Sequence, residues 1–210
     1  MNLLRDGPKD AKASIVLAHG AGAPMDSRFM TDFARALAAH GLHVVRFEFA
    51  YMASRRTGEG RKPPPRAERV MGEYRDLVES LDEGRPLFIG GKSMGGRVAS
   101  MVADELFAAK EIAGLVCLGY PFHPPGQPAK LRTAHLEKLK CPALICQGTR
   151  DPFGTREDVE TYALSKAIRL HWLESGDHDF RPAKGAGVTA TENLTSAADA
   201  VAKWIGKTLR

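Results

Sequence analysis

Cysteine is scarce in this 210-residue chain, and the three present, Cys117, Cys141 and Cys146, cannot form a disulfide framework. Two of them sit in apolar stretches, where a cysteine packs as a small hydrophobe, so a reducing compartment is expected. Long hydrophobic runs are lacking too. The longest, 112–122, is about half the ~20 residues that a membrane-spanning helix needs. The first eight residues have no secretory apolar core. A soluble, cytoplasmic protein without a membrane partner is therefore expected. Charge of one sign is not in large excess: 30 Lys and Arg face 25 Asp and Glu, and the net +5 is scattered except across 55–66. Paired zinc-ligand spacings and aromatic RNA-binding motifs do not occur, which argues against a nucleic-acid partner and a structural metal. Solenoid repeats and low-complexity tracts are missing beyond Pro63, Pro64 and Pro65. What remains is ordinary globular composition, 43% hydrophobic and 26% charged, enough for one sizeable core over residues 1–210.

Five short apolar runs, 14–18, 42–49, 87–89, 113–118 and 143–146, have the length of buried strands, and a sixth, 168–173, alternates as a strand nearer a sheet edge does. Between them lie segments of helical spacing. Phe29, Phe33 and Leu37 form one apolar face; Val70, Tyr74, Leu77 and Leu81 form a second; Leu194, Ala198, Val201 and Ile205 form a third. A short helix is also expected over 131–139. Strands alternating with amphipathic helices imply a single α/β domain, a mostly parallel sheet with helices on both faces. In such sheets ligands bind beyond the carboxyl ends of the strands, so function is to be read from the loops that follow them.

One of those loops carries a nucleophile pattern. Gly91-Lys92-Ser93-Met94-Gly95 fits GxSxG between the apolar run 87–89 and the helix-like 97–106. That context describes a sharp strand-to-helix turn that projects Ser93 while small flanking residues let strand and helix approach. The free N–H groups of the new helix favour negative charge developing at the same place. A phosphate loop ending in Gly91-Lys92-Ser93 fails on spacing, because its first glycine would fall at Pro86.

A serine hydroxyl needs a base, and the base a carboxylate to orient it. Of seven histidines, His178 in Gly176-Asp177-His178-Asp179-Phe180 follows the last expected strand; His123 and His135 read as structural. Asp151, in Gly148-Thr149-Arg150-Asp151-Pro152 after the fifth strand, is the acid by position, with Glu174, Asp177 and Asp179 as rivals. Ser93, Asp151, His178 is the chain order nucleophile, acid, base. Two backbone amides would complete an oxyanion hole: Met94, and Ala21 or Gly22 from His19-Gly20-Ala21-Gly22, with His19 bracing that loop.

With these residues assembled, the chain resembles the α/β-hydrolase superfamily over most of its length. More narrowly, 90–97, Gly119-Tyr120-Pro121-Phe122-His123-Pro124-Pro125-Gly126 and 147–154 are similar to a small dienelactone-hydrolase-like branch. That branch includes the related domain of a subunit of the NSL histone-acetyltransferase complex. The resemblance implies a Ser93, Asp151, His178 triad. Too little chain separates the fourth and fifth strands for a large lid, so small soluble esters are the expected substrates. A carboxylester comes first, then a thioester and an amide, with no metal or organic cofactor. Tyr51, Arg55, Arg56, Tyr120 and Phe122 are expected to line the substrate cleft, and the basic segment 55–66 to favour substrates bearing a carboxylate or phosphate. The alternative from another class is a non-catalytic protein-interaction module that keeps the hydrolase fold. The oligomeric state is not legible.

Overall fold

A computed structural model describes residues 2–58, 63–81 and 83–210. Seven strands form one sheet in the order β1-β3-β2-β4-β5-β6-β7: β1 Leu3–Asp6, β2 Ser14–Ala18, β3 His43–Phe47, β4 Leu87–Lys92, β5 Gly114–Leu118, β6 Ala143–Gly148 and β7 Ile168–Leu173. All neighbours run parallel except β1, which pairs antiparallel with β3 through Leu3 to Phe47 and Asp6 to Val44. Six strands coincide with the six apolar runs. β1 was not expected: four residues, Leu-Leu-Arg-Asp, carry no alternation that marks a strand, and it is held by its backbone ladder to β3.

The helices are α1 Arg28–Ala39, α2 Ala50–Ala53, α3 Met71–Ser80, α4 Met94–Ala108, α5 Arg156–Val159 and α6 Ala190–Thr208. The two-residue period of the strands sorts the core into two layers. Val16 and Ala18, Leu115 and Cys117, Ala143 and Ile145 face α3 and α4, where Tyr74, Leu77, Val98 and Val102 wait. Ile15 and Leu17, Val116 and Leu118, Leu144 and Cys146 face α1 and α6, against Phe33, Leu37, Val201 and Trp204. Buried on both faces, the central strands read as continuous apolar runs.

The segment 131–139 is not a helix. Its only helix-like bonds are single turns from Leu136 and Glu137 to the Thr133 carbonyl. Arg132 spends its amide on the Phe122 carbonyl at 2.7 Å and its carbonyl on the Tyr120 hydroxyl at 2.9 Å. The Asp104 carboxylate takes the amides of Lys140 and Cys141, both at 2.8 Å. With its ends bonded elsewhere the segment is too short to nucleate. The connection from β5 to β6 thus carries no helix or strand and inserts no lid. No helix among the described residues is long and apolar enough to cross a membrane.

The topology places the site. The chain leaves β2 toward β3 on one side and returns to β4 on the other, so the loops after β2 and β4 meet where strand order reverses. The β2–β4 register sets Ala18 beside Gly91, and Lys92 lies beside Leu118.

Candidate active site

Ser93 sits between β4 and α4 at φ 51° and ψ −116°, a conformation that L-residues rarely adopt and that costs on the order of 1–3 kcal/mol. The surrounding chain enforces it. Ser93 N–H donates to the Leu118 carbonyl at 2.9 Å, and the Ser93 carbonyl accepts from Arg97 N–H at 3.0 Å. A Cβ on Gly95 would stand 2.5 Å from the Ala18 carbonyl oxygen, and one on Gly91 would stand equally close to it. Both glycines are needed because the elbow presses against β2.

His178 follows β7 in a turn, and its Nε2 lies 2.8 Å from Ser93 Oγ. Its Nδ1 lies 2.8 Å from Asp151 Oδ2. Asp151 has no exposed surface, yet both of its oxygens are bonded: Oδ2 also accepts from Gln147 Nε2 at 2.9 Å, and Oδ1 from Phe153 N–H at 2.9 Å. Gln147, on β6 and equally buried, bonds both backbone groups of Tyr120, accepting its amide at 2.7 Å. The ring of Phe153 lies 4.3 Å from that of His178. Glu174, Asp177 and Asp179, the rival acids, do not reach the imidazole; Asp177 Oδ1 instead takes the amides of Asp179 and Arg181.

The amide of Met94, first residue of α4, has no acceptor within its helix, and neither it nor the amides of Ala21 and Gly22 are used by another group among the described residues. The loop that carries Ala21 is braced twice. The Tyr51 hydroxyl donates to the Ala21 carbonyl at 3.0 Å, and fully buried His19 has Nδ1 2.6 Å from the Gly20 carbonyl. His19 Nε2 accepts from Phe49 N–H at 3.2 Å, so Nδ1 carries the proton, and burial lowers the pKa to keep the ring neutral.

Two cavities meet at Ser93 and share Ala21 and Phe153. The smaller, about 290 Å³, lies on the His178 side against Ala23, Phe29 and Met30. The larger, about 450 Å³, lies on the Met94 side and is lined by Arg66, Arg97, Arg132 and Glu68. No group of three or more His, Cys, Asp or Glu that could hold a metal ion occurs among the described residues.

Several residues expected in the cleft are elsewhere. Tyr120 and Phe122 are fully buried, because their rings fill the core above β5, 4.9 Å apart, with Phe122 against Tyr162. Arg56 grips Glu48 with two nitrogens at 2.8 and 2.6 Å and Asp26 at 2.7 Å, so its fork is already filled. Arg55 lies over the Tyr51 ring at 5.4 Å, and neither residue lines the cavities. Arg61 and Lys62 of the basic segment lie outside the described residues. His135 lies 2.8 Å from Ser100 Oγ, and His123 Nδ1 lies 2.9 Å from the Pro124 carbonyl, as structural histidines would.

One contributor escaped the reading of the sequence. Lys92, within GxSxG itself, turns back under the site and donates to the His178 carbonyl at 2.7 Å, 3.5 Å from Asp179 and 5.3 Å from the Phe29 ring centroid. Burial lowers its pKa, opposed by the charges of Asp179 and Asp151. A lysine ending an otherwise apolar strand was the available signal.

The comparisons with known proteins agree with this architecture. A family model described as an alpha/beta hydrolase domain matches residues 11–206. Among solved structures, the dienelactone hydrolase of Anabaena variabilis is 22% identical, with 98% of this chain and 90% of that one covered and a TM-score of 0.67. Est1E of Butyrivibrio proteoclasticus, solved with ferulic acid bound, is 16% identical, with 99% and 95% covered and a TM-score of 0.69. A serine hydrolase without lid from Xanthomonas campestris is 21% identical, with 84% and 79% covered and a TM-score of 0.62. These likenesses establish a shared fold, and the family match over nearly the whole length makes this chain a member of the alpha/beta hydrolase domain family.

Proposed function

We propose that the protein is a serine hydrolase of small soluble carboxylesters, working through an acyl-enzyme on Ser93. The observation that carries this reading is the unbroken hydrogen-bonded series Ser93 Oγ, His178 Nε2, His178 Nδ1, Asp151 Oδ2, with both links at 2.8 Å. Ser93 Oγ attacks the acyl carbon as His178 takes its proton. Asp151, buried and held by Gln147 and the Phe153 amide, keeps the Nδ1 proton in place and stabilises the imidazolium. The developing oxyanion lies against the amides of Met94 and Ala21; one such donor contributes about 3 kcal/mol in typical enzymes. His178 then protonates the leaving alkoxide, and water, deprotonated by His178 in turn, releases the acid. Thioesters follow the same course.

The lidless connection from β5 to β6 leaves the site open to soluble substrates, and three free buried cysteines suit a reducing, cytoplasmic setting. With p-nitrophenyl acetate, rapid mixing should give a burst of about one nitrophenolate per protein followed by slower turnover, the signature of an accumulating acyl-enzyme. Ser93→Ala should abolish both phases. Hydrolysis that persists in Ser93→Ala would refute the reading.

A further inference from the structure

Proton bookkeeping orients the substrate. Whatever leaves must receive its proton from His178 Nε2, and His178 lines only the smaller, apolar cavity. The alcohol therefore departs on that side, and the acyl chain extends past Met94 into the larger cavity. There Arg66, Arg97 and Arg132 are opposed by a single carboxylate, Glu68, which is already bonded to Arg97 at 2.7 Å. The backbone of Arg132 is pinned at both its amide and its carbonyl. The residue is half-buried, and the only hydrogen bonds it makes among the described residues are those of its backbone. Arg97 Nε is buried without a partner as well. Burial, and then the nearby charge of Arg97, lower the pKa of Arg132, outweighing the opposing effect of Glu68.

We propose that this cavity binds an acyl group ending in a carboxylate, so that the substrates are monoesters of short dicarboxylic acids with small apolar alcohols. The planar fork of Arg132 matches a carboxylate, and the cavity places that fork beyond the scissile carbonyl rather than beside the leaving group. In the first step the Ser93 Oγ–acyl bond forms, the ester C–O bond breaks and the serine proton passes through His178 to the alcohol. Water then splits the acyl-enzyme, giving the dicarboxylic acid and free Ser93. The proposal rests on the serine-hydrolase reading and adds its acyl specificity.

The test compares kcat/KM for mono-p-nitrophenyl adipate with that for its neutral methyl ester, in the natural protein, Arg132→Gln and Arg132→Lys. A control substitution, Arg75→Gln, alters a surface arginine paired with Glu105 away from the cavity. Because both esters are read in each variant, a folding defect cancels in the ratio. The natural protein and the control should favour the anionic ester by about tenfold or more, the scale of one charge-assisted pair. The preference should fall to about twofold or less in Arg132→Gln, survive in part in Arg132→Lys, and weaken with added salt. Equal use of the two esters, or a preference that survives intact in Arg132→Gln, would overturn the proposal. Failure to hydrolyse either ester while Ser93 still takes a fluorophosphonate overturns the acyl specificity alone; failure of both removes the hydrolase reading itself.

Discussion

Asp151 shows most clearly how the site depends on single atoms, since His178, Gln147 and the Phe153 amide share its two oxygens with no solvent contact. Asp151→Asn would present an amide to Nδ1 and favour the wrong tautomer; kcat should drop by about 10⁴ with little change in fold, checked by steady-state kinetics beside circular dichroism. Gln147→Leu removes the donor to Asp151 and strands the buried Tyr120 amide, so it should cost about 1–3 kcal/mol in denaturant unfolding as well as activity. Ser93, His178 and Asp151 stood out in the sequence because their residue types and chain order are those a nucleophile, base and acid would need, and the fold brings the three side chains within hydrogen-bond distance. Gln147 and Lys92 were not, because their roles are contacts to the backbone of Tyr120 and of His178 that no local pattern announces. Tyr120 and Phe122 misled for a related reason: an aromatic after a strand looks the same in sequence whether it roofs the core or walls a cleft.

At the scale of elements, the elbow and the helix ends carry the sharpest expectations. Gly95→Ala puts a methyl against the carbonyl oxygens of Ala18 and His19, backbone atoms that cannot swing aside. It should destabilise by about 3 kcal/mol or more, read as a lower urea midpoint, with loss of Ser93 reactivity. Thr189→Ala removes the hydroxyl of the capping box with Glu192 that opens α6, and should cost about 1 kcal/mol in the same measurement. Five of the six parallel strands were readable because burial on both faces makes each an apolar run, and the edge strand β7, only partly buried, by its alternation. The antiparallel β1 was not, since four mixed residues gain their strand state from pairing with β3. Nor was the open course of 131–139, whose spacing suits a helix while Arg132, Lys140 and Cys141 bond to other segments.

At the scale of the whole molecule, titration of buried groups sets the response to pH. Burial lowers the pKa of His19, His135 and His171, so the unfolded chain takes up protons below about pH 6.5 before the folded one does. Stability should therefore fall as pH drops from 7 toward 5. Below that, Asp158, whose pKa is lowered by its hydrogen bond to Thr155, and Asp26, lowered by its bond to Arg56, add loss of the same sign as they protonate. Thermal unfolding at pH 7, 6 and 5 should give a steadily decreasing midpoint; a flat or rising one would contradict neutral rings at buried His19 and half-buried His135 and His171.

If the fold holds Ser93 as an activated nucleophile, a fluorophosphonate will react with it whatever the natural substrate is. The purified protein treated with a small fluorophosphonate and digested for mass spectrometry should carry one adduct, on Ser93, and the adduct should vanish in Ser93→Ala and in His178→Ala. Absence of label in the folded natural protein, or labelling of Ser93 that survives loss of His178, would contradict the account.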